Sequence, residues 1–170
     1  DSLPSAMGHD AATSFFSTEA RPRFRQPADL IEPTLGALAV PNNFAGEDEG
    51  EGTIRLTTLA RHDRWAALDD DEYVAAKEQC ADEAIAAATA FFPDWRPHTV
   101  FRDVFTPTTI HRFTGRLGGA IYGSAEKRLG GETGVRGLLL CGADQGFVGV
   151  VGALYSGILM ANRHAATATT

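Results

Sequence analysis

Between Leu138 and Met160 the chain places an apolar run, a turn with glycine at both ends and one carboxylate, and a long uncharged segment in immediate succession. The run is Gly137-Leu138-Leu139-Leu140-Cys141-Gly142, and the turn is Gly142-Ala143-Asp144-Gln145-Gly146. A buried strand that passes through glycines into a helix N-terminus is a device for holding an anionic or electron-rich group. Glycine lets the backbone approach, and the first-turn N–H groups and positive dipole end point at the ligand. Asp144 can accept hydrogen bonds from ligand hydroxyls at such a turn. Gly146, Gly149 and Gly152 recur at every third residue and keep one side of the first turns free of bulk. The same pattern fits close helix–sheet packing with Asp144 capping its own helix. The residues alone leave the two readings open.

Other reactive groupings are missing from the sequence. Gly50-Glu51-Gly52 begins a GxGxxG dinucleotide fingerprint, but Arg55 stands at the third glycine position. There is no Walker loop, no HExxH and no GxSxG. His9, His62, His98, His111 and His164 have no metal-ligand spacing, so no metal is expected. No acid–base pair stands out, and no catalytic residue is assigned. Cys80 and Cys141 are far apart and no CxxC occurs. That argues against a disulfide scaffold and for a reducing, cytoplasmic setting.

The 170 residues carry a net charge of −7, which argues against nucleic-acid binding through bulk charge. The charge is uneven: residues 1–110 hold 9 basic and 19 acidic side chains, residues 111–170 hold 6 and 3. A mildly basic, glycine-rich last third suits an anionic ligand, although a solvated surface explains it as well. No basic stretch precedes an apolar one at the amino terminus, so no signal peptide is expected. Gln145–Asn162 is an uncharged run of 18 residues, but its glycines, Gln145, Ser156 and Asn162 suit a buried helix better than a membrane span.

Several elements position these residues. Residues 1–34 hold four of the eight prolines and read as irregular, with a short strand at Thr13–Ser17. Leu35–Val40 is a buried strand stopped by Pro41. Glu47, Asp48, Glu49 and Glu51 form a hairpin-like acidic loop. From Gly52 to Arg61 the chain alternates, which predicts a half-buried strand. Asp69 followed by Glu72 resembles a capping box and opens a helix that runs to Phe92 and is ended by Pro93. Cys80 falls on its apolar face, as a core residue rather than a nucleophile. Thr99–Phe105 and Thr108–Thr114 read as strands, followed by a glycine-rich turn over residues 115–123 and a polar loop to Gly137. Leu138–Cys141 reads as a parallel-sheet strand. Phe147–Ala161, apolar around its circumference, is a helix that must be covered. The fold class is α+β: a mainly antiparallel sheet with a packed helix, plus a terminal strand–helix unit.

A resemblance sharpens this reading. Thr106-Pro107-Thr108-Thr109, Arg112-Phe113-Thr114-Gly115, Gly118-Gly119-Ala120-Ile121-Tyr122-Gly123, Leu140-Cys141-Gly142-Ala143-Asp144-Gln145-Gly146-Phe147-Val148-Gly149, Gly152-Ala153-Leu154-Tyr155-Ser156-Gly157 and Met160-Ala161-Asn162 follow one another. They resemble the carboxyl-terminal part of phytoene desaturase and carotenoid isomerase-like flavoproteins, members of the amine oxidase superfamily. A looser likeness extends upstream through Gly52–Leu59 and Asp63-Arg64-Trp65-Ala66-Ala67-Leu68.

The resemblance implies an FAD-dependent oxidoreductase that desaturates, saturates or isomerises a carotenoid- or retinoid-like polyene. Residues 1–134 would belong to the substrate-binding domain. Residues 135–170 would supply the last strand and helix of a Rossmann-like FAD-binding domain. Gly142, Ala143, Asp144, Phe147, Val148, Gly149 and Gly152 would contact FAD, and Arg112, Arg116 and Tyr122 would line the flavin–substrate junction. The family carries its ADP-binding GxGxxG near the start of a much longer chain, and none is present here. The expectation is therefore a fragment or one piece of a split protein, inactive alone, whose terminal helix exposes apolar surface until self-association or an amino-terminal FAD-binding half covers it. Peripheral membrane contact would fit an apolar substrate. The other reading is a non-catalytic apolar-ligand-binding or interaction module.

Overall fold

The reciprocal bonds at Asp69 start the longest helix. The Asp69 carboxylate accepts the Glu72 N–H at 2.9 Å, and the Glu72 carboxylate accepts the Asp69 N–H at 3.1 Å. In the computed structural model, which describes residues 3–23, 25–44 and 51–164, this capping box opens α2, Asp70–Ala88. Asp70, Asp71 and Glu72 in the first turn complement the helix dipole. The buried residues of α2 are Ala76, Cys80, Ala84 and Ala88, a strict spacing of four. Three alanines and a cysteine let the helix axis lie close to the surface beneath it. Phe91 and Phe92, expected in the helix, follow its end.

That surface is a three-stranded antiparallel sheet in the order β1-β2-β3, with β1 at Thr13–Ser17, β2 at Ile31–Ala39 and β3 at Arg55–Ala60. Alternation sends Phe16 into the core with Leu38, Ala88 and Trp95, while Phe15 on the other face is 82% exposed. Gly36 lies opposite Phe16; a Cβ there would stand 2.7 Å from the Thr57 carbonyl and 2.8 Å from the Phe16 ring. Pro33 lies in a bulge of β2, where Glu32 pairs with Leu59 and Gly36 with the adjoining Thr58. A bulge is where a central strand tolerates a residue that has no N–H. A second cluster joins Trp65, from the short helix α1 (His62–Ala66), to Ala76 and Cys80 of α2, with Leu30, Ile31, Leu68 and Tyr73 around it.

The chain divides into two compact units, residues 1–109 and 110–170. The first holds the sheet, α1 and α2. The second holds most of α3 (Pro107–Thr114), a 3-10 turn at Gly142–Gln145 and α4 (Gly149–His164).

Three expectations need correction. Thr99–Phe105 is not a strand; it is irregular chain, tied to α2 by Arg102 bonding Glu78 and Asp82 and by a 3.5 Å Lys77–Asp103 pair. Thr108–Thr114 is not a strand either, because it lies inside α3. The threonines that suggested β structure cap the helix: Thr109 N–H donates to Thr106 Oγ1 at 3.2 Å and Thr106 N–H to Thr109 Oγ1 at 3.4 Å, with Pro107 at the first helical position. Leu138–Cys141 forms no parallel strand; its ladder contact among the described residues is one antiparallel bridge, Glu132 to Leu139. Gly137 (φ +79°) and Gly142 (φ +85°) leave the extended region on either side of it.

α4 forms near the expected place, yet in this chain its sides are not buried. Val150, Val151, Leu154, Tyr155 and Ile158 are exposed, and only Ser156 and Met160 are buried. Among the described residues no helix is long and apolar enough to cross a membrane. Of the acidic loop, Glu47, Asp48 and Glu49 lie outside the described residues.

Candidate functional site

Asp144 sits in the 3-10 turn Gly142–Gln145, which Gly146 closes in the left-handed conformation at φ +117°. α4 begins three residues later at Gly149, itself at φ +77°. Asp144 therefore does not cap its own helix, and that alternative is corrected. Its Oδ1 accepts the backbone N–H of Ser124 at 2.7 Å, and its Oδ2 lies 3.8 Å from the Arg116 guanidinium. Its backbone carbonyl accepts the Arg128 N–H at 3.0 Å. Gly123 favours this approach: at φ +75° a side chain would be strained, and an added Cβ would stand 2.5 Å from Asp144 Oδ1 and 3.1 Å from the Ala143 carbonyl carbon.

Beneath the turn lies a satisfied polar network. Ser156 Oγ accepts the Gly142 N–H at 2.6 Å and donates to Gln145 Oε1 at 2.5 Å. Gln145 Nε2 donates to the Leu129 carbonyl at 2.8 Å and to Met160 Sδ at 3.2 Å. Both polar side chains are buried. Each donor and acceptor has a partner, so the network fixes the turn on α4 without an unpaired polar atom.

The other predicted site residues divide by geometry. Gly152 is a packing glycine, since a Cβ there would lie 3.0 Å from the Phe147 carbonyl carbon. Gly149 has open space on that side, with nothing within 4 Å. The Phe147 N–H donates to the Gly142 carbonyl at 3.3 Å, and its ring stands edge-on to Tyr155, 5.8 Å between centroids. Val148 is exposed at the helix start. Ala143 offers its carbonyl to Lys127 at 3.0 Å, and Tyr122 does the same while its ring stays exposed. Arg112 lies over the Phe113 ring at 5.9 Å and makes no ion pair with Asp144. Thus Arg116, Tyr122, Ala143 and Asp144 are linked by these contacts, none of which involves Arg112.

Sequence reasoning missed Ser124, Lys127, Gln145 and Ser156. The last two carried a signal: they are polar positions in an uncharged run. Lys127 carried none, because its partners are backbone carbonyls.

Elsewhere, a cavity of about 250 Å³ is lined by Asp29, Leu30, Ile31, Gln79, Cys80 and Glu83. Burial, reinforced by Glu83 and Asp29, pushes the Cys80 thiol up to about 11. At pH 8 about one such thiol in a thousand is ionised, whereas Cys141 is exposed. A thiol-alkylating reagent should therefore modify one cysteine per native chain, Cys141, and both in denaturant. Equal labelling rates in the native chain, read by mass spectrometry, would remove Cys80 from the core.

Among the described residues no group of His, Cys, Asp and Glu is arranged to hold a metal ion. No family model, curated protein or solved structure matches the chain. Two features of this unit are open to a ligand. Asp144 keeps 38% of its side chain exposed with one oxygen held only by a long ion pair, and the start of α4 is open at Gly149. The sequence has no GxGxxG fingerprint.

Proposed function

We propose that this chain is the carboxyl-terminal portion of an FAD-dependent oxidoreductase acting on carotenoid- or retinoid-like polyenes. On this reading residues 1–134 belong to its substrate-binding domain and residues 135–170 to the part of a Rossmann-like domain that closes over the flavin. One observation carries the reading. Two of the stretches that resemble that family, residues 118–123 and 140–149, meet at a carboxylate beside an open helix start, where Gly123 faces Asp144 and the adjoining Ser124 N–H bonds its Oδ1.

Asp144 would accept hydrogen bonds from ribityl hydroxyls. The free N–H groups at the start of α4 offer partial positive charge to an electron-rich ring, with Phe147, Val148 and Gly149 beside them. Arg116 and Tyr122, and Arg112 on α3, would border the substrate. Bound FAD supplies the hydride acceptor or donor; the chain supplies orientation, charge and exclusion of water. Phe15, exposed on the sheet face away from α2, supports an apolar ligand.

A second reading, a non-catalytic apolar-ligand-binding or interaction module, is favoured by the exposed Val150, Val151, Leu154 and Ile158 of α4. Fluorescence titration of the purified chain with riboflavin, FMN and FAD separates the two. With only the ribityl–ring end recognised, FAD should bind with a dissociation constant above about 1 µM, and riboflavin within about threefold of it. No response to any flavin, with retinol giving a structured absorption band on the protein, would replace the oxidoreductase reading by the second. A submicromolar FAD constant with riboflavin much weaker would show a complete site and refute the fragment reading.

A further inference from the structure

The Lys127 ammonium lies where two backbone segments meet. It donates to the carbonyls of Tyr122 and Ala143, the latter at 3.0 Å. Tyr122 is two residues before Ser124, and Ala143 is one before Asp144. Its two bonds therefore join the two segments just before the point where the Ser124 N–H holds Asp144 Oδ1. The Arg128 N–H, bonded to the Asp144 carbonyl at 3.0 Å, closes the same loop from its far end. An ammonium is suited to joining two carbonyls in this way. It is a compact charge with three donors on a flexible stem, and its charge-assisted bonds are about twice as strong as neutral ones. Ser124 and Glu126 in the loop are exposed, and Gly123 contributes no side chain.

We propose that Lys127 is a positioning residue for Asp144. It clamps residues 122–128 over 143–144, so one carboxylate oxygen is committed to Ser124 and the other is left for ligand hydroxyls. The ligand part of this rests on the flavin reading above; the clamp itself does not. Lys127 touches no reacting atom in this role.

The test uses the full chain with Lys127→Met, which removes the donors, and Lys127→Arg, which keeps them. Two readouts are taken: amide hydrogen exchange at Ser124 and Arg128, and titration with FMN. Lys127→Met should speed exchange at both amides by about tenfold or more and weaken FMN binding by about tenfold, while Lys127→Arg restores both to within about twofold. Unchanged protection of the α4 amides, in the same unit as Lys127, shows that the variants are folded. If Ser124 and Arg128 stay as protected in Lys127→Met as in the parent, the clamp is refuted whether or not flavin binds. If exchange quickens but FMN affinity is unchanged, the positioning role is refuted and the flavin reading stands. If exchange quickens and the parent chain binds no flavin, the flavin reading falls, and with it the site role of Lys127.

Discussion

Trp65→Ala is expected to lower the stability of the residue 1–109 unit by about 3–5 kcal/mol, the range for removing a buried large aromatic side chain. Trp65 is 2% exposed and packs with Ala76 and Cys80 of α2. Its ring stands edge-on to Tyr73 at 5.6 Å between centroids, and its Nε1–H donates to the Leu30 carbonyl at 3.0 Å. The loss reaches three elements at once, because Trp65 is the buried residue of the five-residue α1 and packs against Ile31 of β2 and Ala76 and Cys80 of α2. For a unit of this size the melting temperature should fall by roughly 15–30 °C. Trp65→Phe keeps most of the ring and loses the N–H. The Leu30 carbonyl still accepts the Arg61 N–H at 3.0 Å, so that variant should cost only about 1–2 kcal/mol. Thermal and urea unfolding followed by circular dichroism measure both. A Trp65→Ala chain that melts within a few degrees of the parent would mean that the second core cluster does not contribute to stability.

The parts of this unit that are legible in the sequence are those governed by short-range rules. The capping box at Asp69 and Glu72 uses contacts three residues apart, and it forms as the spacing predicts. β1 has the bounds expected of it, and β3 follows from its alternation. β2 begins four residues earlier than expected, because Pro33, which marks irregular chain by composition, is accommodated in a bulge. Residues 108–114 mislead because Thr and Ile favour strands, while a threonine capping pair around Pro107 decides for helix. The signal is present as a Thr-Pro-Thr-Thr N-terminus, and composition outweighs it.

The second unit is less legible, for a physical reason. An apolar run states that its side chains gain by leaving water, and says nothing about which surface receives them. That run predicts a parallel strand at Leu138–Cys141, but a parallel strand needs a neighbour in its own sheet, and the described residues give it a single bridge. α4 shows the same limit: apolar around its circumference, it leaves Val150 and Val151 about 80% exposed. The bonds that hold Asp144 come from Ser124, 20 residues away, and its neighbour Ala143 is held by Lys127, 16 residues away. Contacts of that separation leave no period in a sequence. Glycines at 123 and 142 are visible in it; that one of them faces the carboxylate is not.

Asp144 is where the flavin reading meets its strongest test. Asp144→Ala removes both carboxylate oxygens, so it releases the Ser124 N–H and deletes the acceptor for ribityl hydroxyls. Charge-assisted hydrogen bonds contribute roughly 1.5–3 kcal/mol, so flavin affinity should fall by about one to two orders of magnitude. That loss alone does not distinguish a ligand contact from a loop tie. Asp144→Asn does, because the amide oxygen still accepts the Ser124 N–H at the 2.7 Å position while the negative charge is gone. If the carboxylate meets the ligand, Asp144→Asn should keep Ser124 amide protection and the parent melting temperature yet lose most of the affinity. The amide NH₂ would also face Arg116, replacing a 3.8 Å attraction by a donor–donor contact, so Arg116→Gln in the same background controls for that neighbour. Titration with FMN and amide exchange are measured on all three variants and the parent. An Asp144→Asn chain with parent FMN affinity and a protected Ser124 would reduce Asp144 to a structural tie between residues 124 and 144.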